Sequence, residues 1–327
     1  MSELRYHPLT DDWVIINSNR QARPDMPKDY CAFCPGSGKV PEGGYDILRY
    51  PNDFPSMSLN PPEPDDLKTD FYRYKPAYGI CEVILYSSSH NATLKELSPQ
   101  SIRKLGLTWR EIYRDFSSDV NIKNVMIFEN RGKEVGVTMS HPHGQAYGYG
   151  FVPKKIRLEA QNAENYHKAK GSCIFCDMLA DEKNSGERII FENEYFTVFL
   201  PFFTEYPYGV YILPNRHISD MGKMTDEMAS CLAETIQQVS GMYDSLFDKA
   251  FPYMMCMHNP PLDGRDYSAF WDFHVEFFPP LRGENSIKWN ASSETGAWAH
   301  CNPTCPEQKA RELREANDKY LRTKQEQ

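Results

Sequence analysis

Two segments of the sequence carry apolar residues at the spacing of an amphipathic helix. The first follows Ser98 and Pro99, residue types favoured at a helix start, and its apolar positions are Ile102, Leu105, Trp109, Ile112 and Phe116. The second follows Thr225 and Asp226, and its apolar positions are Leu232, Ile236, Val239 and Tyr243. We therefore expect one helix at each place.

Short apolar runs surround both helices in the same order. In the first half EVILYSSSH ends at His90 before the helix, and NVMIFENRG and MSHPHGQAYGYGFVP follow it. In the second half GVYILPNRH ends at His217, and YMMCMHNPP and FWDFHVEFFPP follow the helix. Each series begins with a CxxC pair, Cys31 with Cys34 and Cys173 with Cys176. Four features in matching order indicate an internal duplication.

This order predicts an α+β fold made of two duplicated units, each an antiparallel sheet flanked by helices. We place the N-terminal unit at residues 1–165 and the C-terminal unit at residues 166–327. The charged segment 154–172 is expected to form a connecting helix. Residues 306–327 are expected to form a solvated helix that starts at Pro306.

Charge and hydropathy narrow the function classes. Asp and Glu number 45 against 36 Lys and Arg, and the net charge of −9 argues against nucleic-acid or anionic-membrane binding. No apolar run reaches the roughly 18 residues of a membrane span, and the N-terminal sequence lacks the apolar core of a signal peptide. We therefore expect the protein to be cytoplasmic. In that reducing compartment CxxC pairs are more often metal ligands than disulfides.

The sequence HPHGQ carries the strongest candidate chemistry. On a strand, His141, His143 and Gln145 point to one face, and Gly144 is expected to leave the opposite face open. A neutral imidazole whose other nitrogen donates to a fixed acceptor can attack phosphorus, and a glutamine can donate an amide without taking up a proton. Two structural histidines in a polar cluster are the alternative interpretation.

HPHGQ, the CAFC pair, His90 and the duplicated order resemble the galactose-1-phosphate uridylyltransferase family of the histidine-triad superfamily, over nearly the whole chain. The resemblance implies a ping-pong exchange of UMP between UDP-glucose and galactose 1-phosphate, through a uridylyl intermediate on His143 assisted by Gln145. It also implies that a nucleotide sugar and a hexose 1-phosphate are the binding partners. Members of the family are often dimers, so a homodimer is possible.

The resemblance also suggests substrate-binding residues. Arginines would contact the phosphates, the Asn-Asp-Phe segment the uridine, and a lysine the hexose phosphate. In this chain the matching residues are Arg20, Arg23, Asn52, Asp53, Phe54, Asn130, Gly136, Thr138 and Lys288. Ser293 and His300 stand where the family often has Tyr and Gln, so the base and the sugar stay open.

Three other functions remain as alternatives. A related subgroup phosphorolyses ADP-glucose, so the transferred group could be adenylyl. A histidine-triad nucleotide hydrolase usually has a third histidine where Gln145 stands. A noncatalytic zinc module is suggested by the CxxC pairs and contradicted by the acidic charge balance.

Metal binding is the second strongest prediction. A Cys2His2 set suits a closed structural zinc site, and a disulfide between its cysteines is the alternative. The predicted ligands are Cys31, Cys34, His90 and His141. Binding His141 would anchor the strand and aim its neighbour His143.

A second metal site, for zinc or iron, has two possible ligand sets. By internal symmetry the ligands would be Cys173, Cys176, His217 and either His274 or Asp272. By resemblance they would be Glu159, His258, His274 and Glu276, where Glu276 replaces a family histidine. We favour the cysteine set and expect neither set to be catalytic. Because WDFHVEF replaces HPHGQ, the second half is expected to have lost transfer chemistry.

Overall fold

The order of helices and strands repeats along the chain. The computed structural model describes residues 2–18, 21, 30–64 and 69–326. The first half contains β1 (Ser2–His7), β2 (Asp12–Asn17), β3 (Leu48–Pro51), β4 (Tyr74–Pro76), β5 (Gly79–Leu85), α1 (Pro99–Ser117), β6 (Asn124–Arg131) and β7 (His143–Tyr149).

The second half repeats this order after two added helices and ends with a further helix. Its elements are α2 (Lys154–Lys170), α3 (Ile174–Ser185), β8 (Ile189–Glu192), β9 (Phe196–Phe199), β10 (Tyr211–Pro214), α4 (Asp226–Leu246), β11 (Tyr253–His258), β12 (His274–Phe278), β13 (Leu281–Gly283), β14 (Ser286–Ile287), α5 (Ser292–Ala297) and α6 (Pro306–Gln325). The predicted α+β fold with two duplicated units is confirmed, as is the connecting helix, which is α2.

Both long helices begin where the sequence predicts. The Ser98 hydroxyl accepts a hydrogen bond from the Ser101 amide at 3.1 Å, and the Thr225 hydroxyl accepts one from the Met228 amide at 3.2 Å. These bonds satisfy amide groups that have no partner inside the helix. α1 and α4 then pack against each other, and a side chain at Gly106 would collide with the backbone of Ala229.

Nine strands of the described residues form one antiparallel sheet in the order β3-β5-β7-β6-β11-β12-β10-β9-β8. The half-sheets meet where β6 pairs with β11, with Asn130 opposite Met254 and Ile127 opposite Met257. The junction covers one edge of each half-sheet, so that the short strands β3 and β8 form the outer edges. A separate sheet has the order β2-β1-β4.

The two faces of the large sheet are covered by different elements. Ile84, Ala146 and Val275 belong to a buried cluster with residues of α1, α4 and α6. On the opposite face α2 and α3 pack over the C-terminal half, while the small sheet packs near Tyr147. Because side chains alternate along a strand, His143 and Gln145 lie on this second face.

Helix α6 differs from the prediction of a solvated helix. Its residues Ala310, Leu313 and Tyr320 are buried, and the Tyr320 ring packs closely against Gly241 of α4. The spacing of three residues from Ala310 to Leu313 and of seven from Leu313 to Tyr320 is typical of a helix with one buried side. No helix in the described part of the chain has the length and apolar character needed to cross a lipid bilayer.

Candidate active site and metal clusters

His143 begins β7, and its imidazole is held in one tautomer. Its Nδ1 lies 2.8 Å from the carbonyl oxygen of His141. A carbonyl oxygen only accepts hydrogen bonds, so Nδ1 carries a proton, and in the neutral ring Nε2 keeps its lone pair. A neutral imidazole with an oriented, unprotonated nitrogen is the form of histidine that can attack phosphorus.

Two cavities adjoin this strand. One of about 250 Å³ is lined by His143, Asn130, Lys133 and Ser140, together with Tyr86, residues 92–94 and other residues of the segment 129–142. The other, about 410 Å³, is lined by Ile15, Asn17, Ser56, Phe128, Asn130, Gln145 and Tyr147. Asn130 therefore borders both cavities. Since Tyr147 donates a hydrogen bond of 3.4 Å to Oε1 of Gln145, the amide nitrogen of Gln145 remains available as a donor.

The face behind Gly144 is filled rather than open, contrary to the expectation from sequence. The side chain of Tyr86, which is buried, packs there, and a Cβ atom at position 144 would lie 3.0 Å from Cζ of Tyr86. The Tyr86 amide also donates a hydrogen bond of 3.1 Å to the carbonyl of Pro142. Tyr86 thus supports the HPHG segment through both its backbone and its ring.

The predicted substrate-binding residues of the first half occupy different local environments. Asn52 and Phe54 form a turn in which Oδ1 of Asn52 accepts the Phe54 amide at 2.9 Å. Asp53 accepts hydrogen bonds from Lys39 at 2.5 Å and from the Tyr50 hydroxyl at 3.0 Å. Asn52 and Phe54 therefore show the turn geometry that is common for Asn in loops.

The loop before His141 contains two more of the predicted residues. Gly136 has a φ of +77°, a left-handed conformation that glycine adopts without strain. The hydroxyl of Thr138 is buried and has no hydrogen-bond partner among the described residues. Arg20 and Arg23, the predicted phosphate contacts, lie outside the residues that the structure describes.

Lys288 is placed apart from His143. Its ammonium lies 5.3 Å from the centre of the Tyr206 ring and 3.6 Å from a carboxylate oxygen of Glu294. It is not among the residues that line the two cavities beside His143. The Ser293 hydroxyl donates to the carbonyl of Ala299, and His300 lies 3.4 Å from Glu205. Like Lys288, both residues therefore make these contacts within the second half.

The predicted first metal cluster is assembled. Cys34 Sγ lies 3.4 Å from Nδ1 of His90 and 3.7 Å from Nδ1 of His141, and Cys31 Sγ lies 3.6 Å from Nδ1 of His141. The other nitrogen of His141 lies 2.7 Å from the carbonyl of Ser87, so Nδ1 presents its lone pair to the sulfurs. Two thiols and two imidazoles directed at one point fit a tetrahedral zinc ion.

A second cluster consists of Cys173, Cys176, His217 and Asp272. Cys176 Sγ lies 3.3 Å from Nδ1 of His217 and 3.6 Å from a carboxylate oxygen of Asp272. The outer nitrogen of His217 lies 2.8 Å from the carbonyl of Ser268. Burial raises the pKa of Asp272 to about 7, and a neighbouring cation would stabilise its carboxylate. This donor set also fits zinc.

The third cluster contains Glu159, His258, His274 and Glu276. The two ligand sets that the sequence presents as alternatives therefore exist side by side. His274 belongs with the glutamates and not with the cysteines. The Asp272 carbonyl lies 3.0 Å from Nδ1 of His274, so Nε2 points away from the cysteines. That Nε2 lies 3.7 Å from Glu276 and 3.9 Å from Glu159.

The two halves hold one histidine each in the same way. His143 Nδ1 meets the carbonyl two residues earlier at 2.8 Å, and His274 Nδ1 meets the carbonyl two residues earlier at 3.0 Å. His274 is 1% exposed and faces two carboxylates, which would repel a phosphate group. The geometry of the imidazole is retained in the second half, and access for an anionic substrate is not.

Sequence reasoning missed several residues that contact these groups. Tyr45 contacts the outer nitrogen of His141 at 2.9 Å, and Lys155 contacts Glu276. Lys155 could have been noticed because it lies four residues before Glu159 on a predicted helix, a spacing that places both on one face. Tyr45 and Tyr86 carry no comparable signal, because only the fold brings Tyr45 to His141 and Tyr86 to Gly144.

The amino-acid sequence is similar to that of known proteins over nearly its full length. Residues 1–153 match the family model "Galactose-1-phosphate uridyl transferase, N-terminal domain", and residues 159–324 match the model of the C-terminal domain. The galactose-1-phosphate uridylyltransferase of Thermotoga maritima is 41% identical, covering 96% of this chain and 98% of that protein. The enzyme of the same name from Kluyveromyces lactis is 30% identical, covering 88% and 86%.

Solved structures show the same similarity. A structure described as a uridylyltransferase superposes with a TM-score of 0.89 at 31% identity, covering 97% of this chain and 99% of that one. An ADP-glucose phosphorylase from Arabidopsis thaliana superposes with a TM-score of 0.73 at 23% identity, covering 96% and 99%. The second likeness is one of fold alone.

Proposed function

The chain belongs to the galactose-1-phosphate uridylyltransferase family, and we propose that it exchanges UMP between UDP-glucose and galactose 1-phosphate through a covalent intermediate on His143. One observation carries the assignment of the nucleophile. The carbonyl that fixes Nδ1 of His143 belongs to His141, whose own side chain sits in the first Cys2His2 cluster. The atom expected to attack is thereby held by a residue that is itself anchored.

In the first half-reaction Nε2 of His143 attacks the α-phosphorus of UDP-glucose. The nitrogen–phosphorus bond forms as the bond from phosphorus to the bridging oxygen breaks, and glucose 1-phosphate leaves with that electron pair. The imidazole keeps its Nδ1 proton, so the adduct carries a positive charge next to the phosphoryl oxygens. The carbonyl of His141 stabilises this charge more strongly than it stabilises the neutral ring.

In the second half-reaction a phosphate oxygen of galactose 1-phosphate attacks the same phosphorus. The nitrogen–phosphorus bond breaks, UDP-galactose leaves, and Nε2 regains its lone pair. The amide nitrogen of Gln145 can donate to a nonbridging oxygen in both steps, because Tyr147 already occupies its carbonyl oxygen. No proton has to move from His143 in either direction, which suits a reversible exchange.

We propose that zinc in the Cys31 cluster is structural. When bound, it would neutralise the two thiolates and fix His141 through Nδ1. The Cys173 cluster would hold a second structural zinc that ties the start of α3 to the strand carrying His274. The residues of this chain, and not the metals, contact the reacting phosphorus in this scheme.

The test is to mix the protein with UDP-glucose labelled in the uridine, denature it in base, and measure acid-labile label on the chain. We expect stoichiometric label on wild type and none on His143→Asn, with metal content and fold unchanged. His7→Asn is a matched control, because His7 is exposed and lies outside the cavities beside His143. Label that persists in His143→Asn would refute the assignment.

The nucleobase is decided by the same assay. ADP-glucose labelled in the adenosine should leave little label on wild type if the transferred group is uridylyl. Equal or greater labelling by ADP-glucose would favour the adenylyl alternative, which Ser293 and His300 leave open by departing from the family pattern. Release of free UMP without an acceptor would instead indicate a hydrolase.

We further propose that the active form is a homodimer. Lys288, the expected hexose-phosphate contact, does not line the cavities beside His143 in the same chain. A second copy could supply it. Mixing the inactive variants His143→Asn and Lys288→Met should then restore about one quarter of the wild-type rate, since half of the random dimers contain one complete site of two. No recovery would mean that Lys288 acts within its own chain or not at all.

A further inference from the structure

The third cluster differs from the other two in already containing a cation. The ammonium of Lys155 contacts a carboxylate oxygen of Glu276 and lies 3.8 Å from Glu159. Lys155 and Glu159 are one turn apart on α2, so both reach the same strand. The stem of Lys155 is half-exposed, while Glu276 is 2% exposed, so the ammonium closes the cluster from its solvent side.

The imidazole of His258 in this cluster is also oriented differently. In the two cysteine clusters the outer nitrogens of His141 and His217 each meet a carbonyl oxygen outside the cluster. In the third cluster both nitrogens of His258 face carboxylates, Nδ1 toward Glu159 at 2.9 Å and Nε2 toward Glu276 at 3.7 Å. An imidazole between two carboxylates forms an ion and hydrogen-bond network that needs no metal to satisfy it.

The spacing of the donors would nevertheless accept a divalent ion. The oxygens and nitrogens of Glu159, His258, His274 and Glu276 lie within 4.8 Å of one another. Two carboxylates and two imidazoles suit zinc or iron. A divalent ion bound there would share Glu276 with the Lys155 ammonium, and like charges at this range in a buried site repel strongly.

We infer that Lys155 takes the cation position of a latent divalent-metal site formed by Glu159, His258, His274 and Glu276. The wild-type chain then retains no metal at this cluster. Replacing the ammonium by a neutral side chain leaves the buried carboxylate of Glu276 and the partly buried carboxylate of Glu159 without their cation, and turns the cluster into a metal site. This inference concerns the second half alone and goes beyond the proposed transfer reaction.

The experiment measures the amount of bound metal that is lost when Glu276 is replaced. Wild type, Glu276→Gln, Lys155→Met and the double variant are each incubated with Zn²⁺ alone or with Fe²⁺ alone without oxygen. Each protein is then gel-filtered, and its bound metal is measured by elemental mass spectrometry. We expect wild type and Glu276→Gln to hold equal metal, and Lys155→Met to hold about one equivalent more than the double variant. Lys154→Met is the matched control, because that ammonium lies over the Trp298 ring.

Two results would overturn the inference. One is metal in wild type that Glu276→Gln loses, since the ammonium would then not exclude it. The other is a Lys155→Met chain that gains no metal over the double variant, since the cluster would then not be a metal site. If Lys155→Met fails to fold, Lys155→Gln removes the charge and keeps the polar end.

A spectroscopic readout separates the third cluster from the cysteine clusters. Co²⁺ in either of those clusters gives thiolate charge-transfer absorption, whereas Co²⁺ bound by Glu159, His258, His274 and Glu276 has no sulfur ligand. The extra ion in Lys155→Met should therefore add ligand-field bands without added charge-transfer intensity. All of these readouts are independent of transfer activity, so they hold or fail separately from the proposed function.

Discussion

Replacing Gly144 by alanine tests whether the wall behind the nucleophile is rigid. The added methyl group would lie 3.0 Å from Cζ of Tyr86 and 3.2 Å from the Phe128 carbonyl, and closer still to the Tyr86 hydroxyl oxygen. Contacts of 3.4 Å or more are ordinary for such a carbon. Either Tyr86 or β7 has to move.

Tyr86 has little freedom to move. It is 1% exposed, its ring packs edge-on against the buried Trp109 with 6.4 Å between ring centres, and its amide is bonded to Pro142. Overpacking in such a site costs about 1–3 kcal/mol of folding free energy. We therefore expect β7 to shift, and a shift of about 1 Å in a reacting group can lower the rate about 100-fold.

The assay is rapid-quench measurement of label on His143 after mixing with UDP-glucose, alongside urea unfolding. Gly144→Ala should form the adduct about 100-fold more slowly and lose about 1–3 kcal/mol of stability. Adding Tyr86→Phe removes the hydroxyl oxygen, the atom closest to the new methyl group, and should restore part of the labelling rate and part of the stability. Gly283→Ala is the control, because a Cβ atom there meets nothing within 4 Å. Wild-type labelling and stability in Gly144→Ala would refute the reasoning.

Three further changes test other parts of the structure. Arg131→Met removes the paired hydrogen bonds to Asp244 at 2.7 and 3.0 Å. The free energy of unfolding, measured in urea, should fall by about 3 kcal/mol, and a loss below about 1 kcal/mol would contradict a structural role for the pair. Cys34→Ser should lose about one equivalent of bound zinc by elemental analysis and unfold at lower urea, and unchanged zinc would disprove that ligand. Burial raises the pKa of Glu129, so the folded state holds this proton more tightly than the unfolded chain, and stability falls as pH rises from about 4.5 through the folded pKa. Glu129→Gln should remove that fall when urea midpoints are compared at about pH 5 and about pH 8, and an unchanged slope would assign the fall to another group.

The parts of the fold that follow from local chemistry could be predicted from the sequence. Ser98 and Thr225 start their helices because a hydroxyl cap acts on amides only three residues away. The alternation that places His143 and Gln145 on one face is likewise a property of any strand. The repeated order of strands and helix then gave the duplicated antiparallel units.

The parts of the fold that depend on contacts between distant segments could not be predicted from the sequence. Asp272 lies two residues before His274, the first residue of β12, and Glu276 lies two residues after it, so the sequence cannot say which of the three joins a given cluster. That choice is made by α3, which brings Cys176 to Asp272, and by α2, which brings Glu159 to His258 and His274. The small sheet of β1, β2 and β4 and the burial of α6 against α4 depend on the same kind of distant packing.

The pairing of β6 with β11 makes the ancestral duplication hard to undo. The residues from Ile127 to Arg131 pair in register with those from Tyr253 to Met257 across the middle of the large sheet. Cutting the polypeptide between the halves and separating the pieces would leave each with a long, unprotected central edge, which invites pairing with other chains. We therefore expect the two units to unfold together, in a single calorimetric transition.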